Sequence, residues 1–101
     1  MPGASEGASL SEYRIFETDQ FTKDLRRISR GGHQAVPGKL CAVVYPQLRV
    51  NPFYGANVRK LKHYSPEAWR YRIGAWRFFY EIDETEQIIF MVAASHRISA
   101  Y

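Results

Sequence analysis

A chain of 101 residues with 46% hydrophobic and 15% aromatic content is a single domain with enough apolar material for a core. Its formal charge of +4 and a pI of about 9.4 favour an acidic partner, whether nucleic acid, an anionic membrane or an acidic protein. The lone Cys41 excludes an internal disulfide and a cysteine-based zinc finger, no apolar run reaches membrane-spanning length, and no charged leader precedes an apolar stretch, so a reduced cytoplasmic setting is the default.

Residues 1–11, MPGASEGASLS, are small and without periodicity and read as a flexible tail ahead of one domain over 12–101. Residues 13–16 are a short strand candidate. Thr18 or Asp19 then caps a helix carrying Phe21, Leu25 and Ile28 at helical spacing, with Lys23, Arg26, Arg27 and Arg30 between them, and Gly31-Gly32 ends it. A second helix follows Pro37 with Leu40, Val43, Val44 and Leu48 as its apolar stripe, and Pro46 predicts a break or kink. Residues 51–55, NPFYG, form a turn.

From Val58 the period changes from helical to alternating, giving strands near 58–62, 69–73, 76–82 and 87–94. Gly74-Ala75 and the polar segment 83–86 are hairpin connections. The apolar run from Ile88 to Ala94 has the signature of a central strand buried on both faces. Two helices followed by closely connected strands predict an α+β domain, with the helices packed on one face of a small twisted antiparallel sheet.

The segment Trp69-Arg70-Tyr71-Arg72-Ile73 carries the most information. In a strand it places Arg70 and Arg72 on one face and Trp69, Tyr71 and Ile73 on the other. Arg77 continues the cationic pattern on the next strand, with Phe79 at the same parity, whereas Trp76, Phe78 and Tyr80 belong to the core side. On composition alone, a solvated face explains the arginines as well as phosphate binding does. No phosphate loop, dinucleotide fingerprint or metal-ligand spacing is present, and His33, His63 and His96 are far apart in the chain. His33 beside the glycine pair reads as a solvated loop or helix-start residue, and Cys41 as a small buried apolar residue.

This set of residues suits RNA cleavage without a metal or cofactor. A base takes the proton of a ribose 2′-OH, the oxygen attacks the adjacent phosphorus, a cation stabilises the phosphorane, and an acid protonates the departing oxygen. Arginine fits the phosphate role through its planar fork, histidine fits proton transfer, and an aromatic ring stacks on an extruded base.

The order of cues resembles the RelE/ParE superfamily of type II toxin–antitoxin toxins over roughly residues 13–101. The cues are residues 21–25 (FTKDL), Asn51-Pro52 with Gly55, residues 60–63 (KLKH), 69–74 (WRYRIG) and 76–83 (WRFFYEID), and the closing Ser95-His96-Arg97 with Tyr101. The resemblance implies a toxin neutralised by a cognate antitoxin. In the RelE- and YoeB-type branches it is an endoribonuclease acting on mRNA in the ribosomal A site; in the ParE-type branch it is a DNA gyrase inhibitor without nuclease activity. It assigns Arg77 to the scissile phosphate, Arg70 and Arg72 to basic positions of the site, Tyr101 to the terminal aromatic, and His96 with Arg97 to the region that supplies a general acid. Arg59, Lys60 and Lys62 add to the RNA-binding charge. YoeB-like members carry a glutamate base where Arg59 stands, and RelE-like members have lysines where Arg70 and Arg72 stand. Arginine is a poor proton acceptor, so His63 and His96 are the substitutes by chemistry.

Overall fold

The computed structural model describes residues 12–96; the expected tail and the candidate residues Arg97 and Tyr101 lie outside that range. The order of elements is β1 (Arg14–Glu17), helix α1 (Asp19–Arg30), a second helical rod, β2 (Val58–Lys60), β3 (Trp69–Ile73), β4 (Trp76–Asp83) and β5 (Ile88–His96). The rod, here α2, is continuous through Val36–Lys39, a π-helical stretch Leu40–Val44 and Tyr45–Val50. The five strands form one sheet in the order β1-β5-β4-β3-β2.

Thr18 caps α1, its hydroxyl accepting from the Phe21 N–H, and Gly31 closes the helix with its N–H directed back to the carbonyls of Arg27 and Ile28. Pro37 occupies the first turn of α2 as its fixed φ and missing N–H allow. Pro46 does not break the rod. Its ring would crowd the carbonyl four residues back, and the helix widens just before it into i→i−5 bonding, with the Tyr45 N–H on the Leu40 carbonyl. The rod turns Cys41 and Val43 outward, contrary to the buried positions the sequence suggested for them; Val43 is 44% exposed.

The α+β architecture with helices on one face is as the sequence indicates, but the sheet is mixed. β2 through β5 are antiparallel hairpin neighbours, whereas β1 pairs parallel with β5, from Arg14 opposite Ile88 to Glu17 opposite Met91. Hairpin connections dictate antiparallel pairing only from β2 onward. β1 is separated from β5 by the rest of the chain and is free to enter in either direction. β5 is therefore one strand in from the edge rather than central. Only its helix-side residues, Ile89, Met91 and Ala94 among them, are packed into the main core.

That core joins Phe21 and Ile28 of α1 and Leu40, Val44, Tyr45 and Leu48 of α2 to Tyr71, Phe78 and Tyr80 of the sheet. Polar atoms carried into it are satisfied. The Tyr80 hydroxyl donates to the Pro52 carbonyl at 2.8 Å, and the Tyr71 hydroxyl donates to Gln47.

β1 covers β5 only as far as Met91, which leaves the outer edge of β5 open beyond it. Asp24 of α1, only 3% exposed, fills the gap: its carboxylate accepts from the Ala94 N–H at 2.9 Å, and also from Gln20 and Arg27. Asp24→Ala leaves a buried strand N–H without an acceptor, so its expected cost is about 3 kcal/mol, or roughly 10–20 °C in Tm. Asp24→Asn keeps one acceptor and is milder. Thermal and urea denaturation of the two variants measure the difference. Among the described residues no helix is long and apolar enough to cross a membrane.

Candidate polyanion-binding face

The sheet has two faces, and the cations are sorted between them by alternation. In β3, Tyr71 is buried and Trp69 and Ile73 pack on the core, so Arg70 and Arg72 emerge on the side away from the helices. Arg59 of β2 is directly opposite Arg70, and Arg77 of β4 is directly opposite Arg72. Two cross-strand rows result. One runs Arg59–Arg70–Phe79–Ala93, the other Arg72–Arg77–Ser95. Side chains opposed in this way have Cβ atoms about 4.5–5.5 Å apart, and like charges at that spacing oppose folding.

No described carboxylate neutralises the rows. The ion pairs among the described residues are Arg27 with Asp24 and Lys60 with Glu67, both at 3.0 Å and neither involving these four arginines. Glu81 shares the face two residues beyond Phe79 yet makes no ion pair among the described residues. Arg70 is held below the ordinary arginine pKa, first by burial and then by the charges of Arg59, Arg77 and Arg72. It remains a cation at neutral pH because arginine starts so high. The Nε atoms of Arg70 and Arg77 are buried and have no hydrogen-bond partner among the described residues. Repulsion left standing and donors left unsatisfied are costs to the folded chain, and both would be relieved by a bound anion.

Phe79 belongs to the first row, beside Arg70, and is 5% exposed but outside the main core cluster, as its parity with Arg77 predicts. Ser95, opposite Arg77, entered the sequence reading only within the closing Ser95-His96-Arg97 cue, with no role of its own.

The other candidates are not brought to this face. Lys60 points to the helix side, where its ammonium meets Glu67 and lies 5.9 Å from the Trp69 ring centroid. Lys62 and His63 are exposed in the connection after β2, His63 at a positive φ of 65°. His96 is on the opposite face from the arginines: its ring lies 4.7 Å from Trp76 and 6.1 Å from His33, and it lines a cavity of about 370 Å³ with Arg27, Ile28 and the end of β5 through Ala94 and Ser95. His33 is an exposed loop residue, as the sequence indicates, and its ring lies 4.9 Å from Trp76.

A bulge accounts for the side His96 takes. β5 pairs Ala93 with Phe79 but Met91 with Tyr80, so Val92 is an extra residue and the alternation reverses across it. Without the bulge, His96 would share the arginine face and Ser95 would turn inward. With it, Ser95 joins Arg77 and His96 joins Trp76.

No family model matches the chain, and no curated protein matches its sequence. Solved structures do match its fold. The toxin–antitoxin complex RelBE2 from Mycobacterium tuberculosis superposes with a TM-score of 0.65 at 20% identity, covering 85% of this chain and 99% of that one. An archaeal RelE–RelB complex from Pyrococcus horikoshii gives 0.63 at 20% identity, covering 88% and 99%. A mutant of the E. coli toxin RelE in the free state gives 0.61 at 15% identity, covering 88% and 87%. At these identities the likeness establishes architecture: the chain has the fold of the RelE-type toxins.

Proposed function

We propose that this chain is the toxin of a type II toxin–antitoxin system and an endoribonuclease that cuts mRNA on the ribosome. The observation that carries the reading is the set of four arginines on adjoining strands, opposed in pairs and without a described carboxylate partner. Arg77 stabilises the charge on the phosphorane, Arg70 and Arg72 grip the backbone on either side, and Arg59 extends the track. The 2′-OH of the substrate is the nucleophile, so the chemistry calls for no metal or cofactor. The proton-transfer roles stay with His63 and His96, and Tyr101 orients the phosphate or stacks on a base. Of the two histidines, His63 is in an exposed connection, and His96 has to reach around the end of the sheet to act. The partner is a cognate antitoxin with an acidic or amphipathic segment that folds over the domain and masks the arginines.

A translation extract tests the reading. The purified chain is expected to produce discrete cuts in ribosome-bound mRNA that stop when its cognate antitoxin is added. Intact mRNA with blocked supercoiling by purified gyrase would instead identify a gyrase inhibitor, and absence of both effects would sink both activities.

A further inference from the structure

We propose that the Ser95 hydroxyl is a direct phosphate ligand, donating to a non-bridging oxygen that Arg77 also holds. The inference rests on the reading of the arginine face as an RNA-binding surface, and adds a neutral donor from β5.

Among the described residues, the buried side-chain nitrogen and oxygen atoms with no hydrogen-bond partner are Arg70 Nε, Arg77 Nε and Ser95 Oγ. All three belong to one face, and Arg77 and Ser95 are direct cross-strand partners. Folded proteins leave few such atoms, because each forfeits its hydrogen bonds to water without replacement. A serine hydroxyl can accept from a guanidinium, so the two neighbours have the means to satisfy each other. They do not: both atoms remain without a partner. What both can share is an acceptor. An oxyanion seated on the face over β4 and β5, where a shift of the overlying arginine side chains uncovers these atoms, would accept from Arg77 Nε and from the Ser95 O–H together, with Arg70 Nε one strand further on.

The Val92 bulge is what makes this possible, since it alone turns residue 95 toward the arginines. A hydroxyl at that point differs in kind from the cations around it. It adds a directed hydrogen bond but releases no counterion when RNA binds, so it strengthens binding equally at every ionic strength.

The test uses the whole chain and a short single-stranded RNA analogue with 2′-fluoro in place of each 2′-OH, which lacks the nucleophile and is not cleaved. Ser95→Ala is expected to weaken binding about tenfold. The dependence of affinity on salt stays parallel to that of the parent, and the Tm is unchanged or raised, because an unsatisfied hydroxyl has gone. Ser95→Thr restores most of the affinity. Parent-like affinity in Ser95→Ala overturns the inference while leaving the RNA-binding face intact. A lowered Tm with an affinity loss that Thr does not restore assigns the hydroxyl to packing and also overturns it. Failure of the parent to bind the oligonucleotide removes the RNA reading itself, and this inference with it.

Discussion

Arg77→Ala is expected to slow mRNA cleavage by about 10²–10³-fold, the usual loss when one preorganised donor to a developing charge is removed. Arg77 is in β4, the middle strand, with Arg72 directly across on β3 and Ser95 directly across on β5. A phosphate centred there is within reach of groups on both neighbouring strands, which no other arginine of the set can offer. Substrate affinity is expected to fall less than the rate, because Arg59, Arg70 and Arg72 still hold the backbone. Stability should not fall with activity. The substitution removes a buried Nε without a partner and one member of an opposed like-charge pair, so the melting temperature should hold or rise. Arg77→Lys keeps the charge but loses the fork, and is expected to recover binding more than rate. Single-turnover cleavage beside a thermal melt separates these outcomes. A variant that cuts at the parent rate would remove Arg77 from the chemistry.

The strands were legible because their signal is local. Period-two alternation in residues 69–73 fixes which side chains share a face, and β3 has the expected bounds. From that pattern alone, the arginines of β3 and β4 could be assigned to one surface and Trp69, Tyr71 and Trp76 to the other. The partner of β1 was not legible, because no local pattern specifies which distant strand a four-residue segment will join, or in which direction. The side taken by His96 was hidden for a different reason. Alternation was sound up to Met91, but one inserted residue reversed it, and a bulge at Val92 has no marker in a run of small and branched apolar residues. The same reversal brought Ser95 to the arginines. The sequence therefore pointed to the cationic half of the site, while its choice of histidine depended on a register that only the sheet reveals. Asp24 was missed as well. In sequence it is one acidic residue in a helix, and its burial follows from an edge of β5 that β1 is too short to cover.

The four arginines also set how RNA binding should respond to salt. Each cationic contact with a single-stranded phosphate contributes a slope of roughly −0.7 to the plot of log affinity against log salt, so four contacts give about −3. Raising monovalent salt from about 50 to 200 mM should then weaken binding of an uncleavable oligonucleotide roughly fiftyfold. Arg59→Gln or Arg72→Gln should each flatten the slope by about 0.7 without changing sequence preference, since a phosphate contact positions the strand and carries no base information. Lys60→Gln is the internal control. Its ammonium is engaged by Glu67 on the other face of the sheet, so it should leave the slope alone. The contrast between Arg59 and Lys60 is diagnostic because the two are adjacent in sequence and equal in charge, but the strand assigns them to opposite faces. Equal effects from the two would mean that RNA responds to net charge alone and that the arginine rows are not its binding track. A flattening confined to the arginines would locate the strand across β2, β3 and β4, over the side of the sheet that the helices leave uncovered.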